Sequence, residues 1–284
     1  MTTMITSLEQ LHAVELEALC EIDRVCQLHG IRWFLHGGTL LGSLRHAGPI
    51  PWDDDLDIAM LADDYARFKK LALPDLSPRF SFTDHAQDEE FFDFVPRITD
   101  LAYEYPVSDE LARRFELRTE HPGVDIFVFC PALQGKADAL QSLRLTINYA
   151  KAMGHRANVD HNEFNGVAKL ASYVLPALGK RTSIGKLLAQ REKLAHQAKA
   201  DAPTLRIVND LPAYMDRRYE RTWYEGERRT PFMGVDLPIP AGAEHEMGVV
   251  YGPTWRELPP LDKRVPAHAG LPYEPREASA KGGA

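Results

Sequence analysis

The chain has 284 residues, 44% of them hydrophobic and 26% charged; the length fits one large domain or two small ones, and the balance excludes a disordered or fibrous protein. A formal charge of −8 excludes a general nucleic-acid surface, which needs clustered excess Lys and Arg to displace counterions. No run reaches the roughly 18 apolar residues that span a bilayer, and the acid-dotted N-terminal stretch lacks the apolar centre of a signal peptide.

The expectation is therefore a cytoplasmic protein, with Cys20, Cys26 and Cys130 reduced and mostly buried. Apolar residues from Leu8 to Leu28 recur at steps of two to three, which predicts an amphipathic helix stopped by Gly30. "IRWFLHGG" reads as a short strand ending in a glycine turn, and "TLLGSLRHAG" as a helix closed by Gly48 and Pro49. "DLDIAM" alternates acid and apolar residues, so it predicts a strand with Leu56, Ile58 and Met60 inward and Asp55 and Asp57 on the other face. A helix over about Leu61 to Leu73 follows. "FFDFVPRITDLAYEYPV" predicts a hairpin or a pair of strands, and "GVDIFVFCPA" a further strand with which the sheet is expected to end.

Beyond Gly135 the texture becomes helical in "KADALQSLRLTINYAKAM" and "IGKLLAQREKLAHQAKA", whereas "GVDLPIPAGAEHEMGVVYGPTWRELPP" reads as loop with a short helix. The fold class is α+β: a mixed-sheet core over residues 1–134, a helical and C-terminal region over 135–274, and a frayed tail over 275–284.

The chemistry concentrates between Phe34 and Met60, where Asp53, Asp54, Asp55 and Asp57 follow a glycine pair. Acids at i and i+2 of a strand project from one face roughly 6–7 Å apart at Cα, a spacing that suits a shared divalent cation. Mg²⁺ takes oxygen ligands and keeps positions for water and phosphate, so an Asp-x-Asp pair beside a phosphate cradle is electrostatically sensible with the metal. The cradle is Gly37 and Gly38, which permit a tight strand-to-helix turn with exposed N–H groups. On the following helix Thr39, Gly42, Ser43 and His46 share a small polar face, and Arg45 can clamp a phosphate oxygen. A calcium loop over Asp53 to Asp64 is excluded at its sixth position, where Ile58 replaces the required glycine.

"GGTLLGSLRHAGPIPWDDDLDIAM" followed by "DDYARF" resembles the signature of the LicD family, which includes phosphocholine transferases and fukutin-type ribitol-phosphate transferases within the nucleotidyltransferase fold. "GVDIFVF" and "PFMGVDLPIPAGAEHEMGVVYGPTWRELPP" extend the resemblance. It implies a nucleotidyltransferase-like core with metal binding and catalysis on Asp55, Asp57 and Asp125. Asp53 and Asp54 would support the site rather than form it. It further implies Mg²⁺, with Mn²⁺ as a substitute, and transfer of a phospho-alcohol from a CDP-linked donor such as CDP-choline to a glycan or other hydroxyl acceptor, releasing CMP. Nucleotidyl transfer that releases pyrophosphate, and nucleotide binding without turnover, are the alternatives.

Three further stretches carry weaker expectations. Trp52, Trp223, Tyr224, Tyr251 and Trp255 could cage a choline cation, although packing is the plainer role. His155, Asp160, His161 and Glu163 read as a polar loop rather than a second metal site. "KLASYVLPALGKRTSIGKLL" reads as a core helix with a basic edge, the alternative being peripheral contact with an anionic membrane.

Overall fold

A computed structural model describes residues 2–84, 94–155 and 161–275. In chain order the elements are β1 (Thr3–Met4), α1 (Leu8–His29), β2 (Phe34–Leu35), α2 (Gly37–His46), β3 (Leu56–Leu61), α3 (Ala62–Arg67), β4 (Phe80–Thr83), β5 (Arg97–Asp100), β6 (Tyr103–Pro106), α4 (Asp109–Phe115), β7 (Thr119–Glu120) and β8 (Gly123–Pro131). The second half adds α5 (Gly135–Met153), α6 (Gly166–Gly179), α7 (Ile184–Ala195), β9 (Thr204–Ile207), β10 (Tyr219–Glu220), β11 (Glu227–Phe232), β12 (Val235–Pro240) and α8 (Ala243–Tyr251). This is an α+β fold built on a mixed sheet, with helices dominating the stretch after β8. Among the described residues no helix is long and apolar enough to cross a membrane.

The central sheet runs β10-β9-β8-β3-β2, with β3 and β8 parallel over six registered pairs. The free edge of β8 is shared: β5 pairs with its first residues, and β9 with its last. The sheet therefore does not end at β8, because β9 and β10 return from beyond α7 to extend it. Of the hairpin or pair of strands expected around Ile98, the pair forms, in different sheets: β5 joins β4 and β8, and β6 joins β1 and β7. Part of that quoted stretch, residues 91–93, lies outside the described residues, as do 276–284 of the expected tail. The segment read as loop after Gly234 contains half of a six-residue hairpin, β11–β12, ahead of α8. Local pattern missed these strands because their partners lie far away in sequence or carry charge and proline on the solvent side.

Helix α1 opens on Ser7, whose side chain accepts from the Gln10 N–H, and closes on Gly30 in the left-handed region at φ 58°. The helix expected over 61–73 is α only to Arg67, then passes through a π turn at Phe68–Ala72 and a 3₁₀ turn at Leu73–Asp75, where Pro74 cannot continue the ladder. Helix α2 is closed by Ala47 at φ 52°, one residue before the expected Gly48.

Leu56, Ile58 and Met60 face α1, where Ala18, Leu19, Ile22 and Val25 join Val124, Ile126 and, from the β11–β12 hairpin, Phe232, Leu237 and Ile239 in one core. The opposite face of the sheet buries Ala59, Phe129, Leu205, Ile207 and Tyr219. Strand alternation thus leaves Asp57 and Asp125 on the second face, one step before Ala59 and Phe127.

Arg206 of β9 is fully buried and ties the sheet to α5, donating to Gln141 Oε1 at 2.8 Å, Ser142 Oγ at 2.9 Å and the Met215 carbonyl at 2.8 Å, with Asp138 at 3.3 Å. Burial, with repulsion from Arg218, pushes the guanidinium down to about 10. Arg206→Ala should cost about 1–3 kcal/mol, because it leaves buried Gln141 Oε1 without its donor while Arg218 still serves Asp138, Ser142 and the Met215 carbonyl. Urea unfolding measures this; a loss below about 1 kcal/mol would show the network to be dispensable.

Candidate active site

The site is built where β3 and β8 begin. Asp57 and Asp125 are registered partners on adjacent parallel strands, and Arg97 opposes Asp125 from β5, so three charged side chains form one row across the sheet. Arg97 grips Asp125 with both arms of its fork, Nε to Oδ1 at 2.9 Å and an η nitrogen to Oδ2 at 3.3 Å, and also binds Glu120. A guanidinium from the neighbouring strand thus supplies the countercharge of Asp125. Each of its oxygens keeps a second lone pair.

The glycine turn lies directly against the acids. A Cβ on Gly37 would stand 2.9 Å from Asp57 Oδ2, and one on Gly38 would stand 2.4 Å from Asp53 Oδ2. The positive φ falls on Gly37, at 54°, rather than on Gly38, so Gly38 is required by space and Gly37 by conformation as well. Helix α2 starts there on His36 with no side-chain cap, leaving its first N–H groups to the cleft. Thr39, Ser43, Arg45 and His46 lie on α2, and the structure gives the first three internal work. The Asp57 N–H donates to Thr39 Oγ1 at 2.7 Å, Ser43 donates to the Leu40 carbonyl at 2.7 Å, and Arg45 donates to the Glu257 carbonyl at 3.0 Å and the Trp255 carbonyl at 3.4 Å. His46 packs edge-on against Trp52; burial and the adjacent Arg45 push its imidazole down, favouring the neutral form.

The electrostatics of the acids are severe. Desolvation, followed by repulsion from Asp55, Asp125, Asp53 and Asp210, drives Asp57 well above the usual carboxylate range. Asp53 is driven up in the same way, by burial and then by Asp55 and Asp54. Asp54 differs. Although burial opposes its ionisation, its Oδ2 accepts from the His268 N–H at 2.6 Å and from the Ala269 N–H, and its Oδ1 faces His268 Nδ1 at 3.2 Å, which together hold it below the usual range. Asp54 is thus the anchor of the C-terminal segment. His268 is pushed up to about 9, first by its hydrogen bond to Asp54 and, against desolvation, by Asp55 at 3.7 Å. A raised histidine stabilises fully below its unfolded value of 6.5 and loses that contribution as pH rises through about 9.

Which residues could hold a cation follows from these contacts. Asp54, Asp55 and His268 bring ligand atoms within 4.8 Å of one another, but Asp54 and His268 already satisfy each other. Among the described residues Asp55, Asp57 and Asp125 do not reach that spacing as a set; strand register and mutual repulsion are what relate them. Unrelieved repulsion among them is the property a cation would remove.

Sequence reasoning missed three side chains here. Glu15 sits on the buried face of α1 between Leu11 and Leu19, an acid in an apolar stripe, and that mismatch was its signal. It is 2% exposed, and its Oε2 has no hydrogen-bond partner among the described residues. Burial, then Asp55, Asp54, Asp53 and Asp125, drive it well above the carboxylate range. Arg97 and His268 had no local signal, since their roles arise from sheet register and from a chain return of more than 200 residues. Tyr251 also borders the turn, its hydroxyl 3.8 Å from the Cβ position of Gly38. The other aromatic residues are engaged separately: Trp255 is buried in the core, Trp223 stacks on His245, and Tyr224 donates to Glu246, which also binds His36. Of the polar-loop residues, the two described histidines are engaged separately. His155 bonds the carbonyls of Gly179 and Thr182, and His161 bonds Ser172; Asp160 and the Glu163 side chain lie outside the described residues.

An uncapped glycine turn feeding a helix, set over acids on adjacent strands of a mixed sheet, defines a nucleotidyltransferase-like domain. Residues 30–142 match the family model described as "LicD/FKTN/FKRP, nucleotidyltransferase domain", so this stretch carries a domain of the LicD type. It is 44% identical over 62 residues to the lipopolysaccharide cholinephosphotransferase LicD of Haemophilus influenzae, a stretch covering 22% of this chain and 23% of that protein. It is 40% identical over 60 residues to the human ribitol 5-phosphate transferase FKRP, covering 20% of this chain and 12% of that one. A stretch of 43 residues is 44% identical to the uncharacterized protein RT0683 of Rickettsia typhi, covering 15% and 14%. The matched stretches thus span less than a quarter of these curated relatives.

The isosteric change Glu15→Gln removes a buried charge that nothing bonds. A raised carboxyl withdraws stability as pH climbs above its unfolded value of 4.5. In metal-free buffer the variant should melt above the wild type near ~pH 7.5, with the gap closing toward ~pH 4.5. Thermal unfolding across pH checks this, and a variant that melts at or below the wild type throughout contradicts it.

Proposed function

We propose that the chain transfers a phospho-alcohol group, phosphocholine or a phospho-alditol, from a CDP-linked donor to a hydroxyl acceptor on a cell-surface glycan or its precursor. The observation that carries this reading is the registered Asp57–Asp125 pair beside the uncapped Gly37–Gly38 turn. The LicD and FKRP relatives, a cholinephosphotransferase and a ribitol 5-phosphate transferase, supply the class of group moved.

In this reading Asp55 and Asp57 hold a divalent cation, Mg²⁺ or in its place Mn²⁺, with Asp125 as third ligand and Arg97 fixing the orientation of Asp125. Bound there, the cation would neutralise charge on the donor diphosphate and polarise its oxygens, leaving the transferred phosphorus open to attack by the hydroxyl and CMP as the leaving group. The first N–H groups of α2 receive a phosphate oxygen, and the helix dipole favours the anion. Any side chain at Gly37 or Gly38 would fill that space, because its Cβ would run into Asp57 or Asp53. Thr39 holds the backbone of Asp57 so that its carboxylate stays in the row. A carboxylate of the cluster accepts the proton of the attacking hydroxyl, a role suited to groups whose proton affinity is raised.

Incubation with CDP-choline or CDP-ribitol, Mg²⁺ and a hydroxyl acceptor should release CMP, and Asp55→Asn and Asp57→Asn should each fall to background while retaining the wild-type circular dichroism. Pyrophosphate release from CTP instead of CMP would assign nucleotidyl transfer, and near-normal turnover in either variant would remove that acid from the mechanism.

A further inference from the structure

Helix α6 inverts the usual amphipathic arrangement. It buries two small residues, Ser172 and Gly179, against the end of α5, and the backbones meet so closely that a Cβ on Gly179 would stand 1.8 Å from the Lys151 carbonyl and one on Gly154 2.2 Å from the Pro176 carbonyl. Its large apolar residues point away: Val167 is 85% exposed, Leu170 66%, Tyr173 52%, Val174 46% and Leu178 44%. At 100° per residue these positions, with Ala177, fill one arc of about 140° that contains no charged side chain. The expectation of a core helix is corrected here, since the face that would enter a core meets solvent. Only Tyr173 has a ring partner among the described residues, His161, stacked at 3.6 Å.

The charge around this face opposes that of the whole chain. The chain carries −8, yet residues 166–199 hold seven Lys and Arg against a single Glu. Lys180, Arg181 and Lys186, which follow α6 directly, are all exposed. An apolar arc bordered by exposed cations, on a helix about 21 Å long, has the complementarity of an anionic bilayer surface: acyl boundary for the arc, lipid phosphates for the border. A core partner or a second acidic copy of this chain would match the arc but not the charge.

We propose that α6 docks flat on an anionic lipid surface, with Val167, Leu170, Val174 and Leu178 entering the interface and Lys180, Arg181 and Lys186 meeting the headgroups. The inference is independent of which alcohol the active site moves.

Sedimentation with vesicles tests it in the full chain. Wild type should pellet with vesicles of equal parts phosphatidylcholine and phosphatidylglycerol and stay free with phosphatidylcholine alone. Leu170→Glu with Val174→Glu, two exposed positions, should abolish binding without changing the melting temperature. Lys180→Glu with Arg181→Glu should weaken binding at least about tenfold. Wild type that stays free of the anionic vesicles, or a Leu170→Glu/Val174→Glu protein that binds as wild type does, would overturn the proposal. So would light scattering that shows a dimer lost in that variant with no vesicle binding in the wild type, because the arc would then be a self-association face.

Discussion

Mutual repulsion among carboxylates held at the start of two parallel strands is the constraint around which this domain is arranged. Asp53, Asp55, Asp57 and Asp125 converge from β8 and the approach to β3, and Glu15 is directed at them from α1. Desolvation and like charge together raise the proton affinity of Glu15, Asp53 and Asp57, so the cluster is costly in the absence of a counterion. A fold retains such a cost where binding relieves it. The neighbouring glycine turn, whose residues have no room for a side chain beside Asp53 and Asp57, fits a ligand that brings both phosphate and metal to the acids.

The rest of the structure limits that repulsion without cancelling it. Arg97 neutralises Asp125 from the flanking strand, and Asp54 turns aside to hold His268 and Ala269. That clasp brings the C-terminal segment back over the acids, while Arg45 binds the same region through the carbonyls of Trp255 and Glu257. On the other side of the turn, Glu246 of α8 bonds His36 at the entry to α2 and Tyr224 behind it. Residues far beyond the family-matched stretch of 30–142 therefore shape the mouth of the site.

The parts legible in the sequence were those written in local pattern. The period-two alternation of "DLDIAM" marked β3 and the facing of its acids, and the glycine pair marked the turn into α2. The long signature around "PWDDDLDIAM" indicated the family. Long-range pairing was not legible. Strand β9, only four residues long, joins the sheet from beyond three helices, so nothing near Thr204 marks it as a partner of β8. The countercharge on Asp125 depends on which residue of β5 stands opposite it, a matter of register. Helix α6 misled for a different reason: its composition is that of a core helix, and only its contacts reveal that the small side is the packed one.

The central claim, that the carboxylate cluster is a cation site, is tested most directly by thermal unfolding with and without Mg²⁺. A ligand that binds only the folded state stabilises it by about 1.4 kcal/mol at tenfold its dissociation constant, or about 3–6 °C for a chain of this size. The account predicts a saturable rise of that order in the wild type and none in Asp57→Asn. An unchanged melting temperature in the wild type, or an equal rise in the variant, would contradict it.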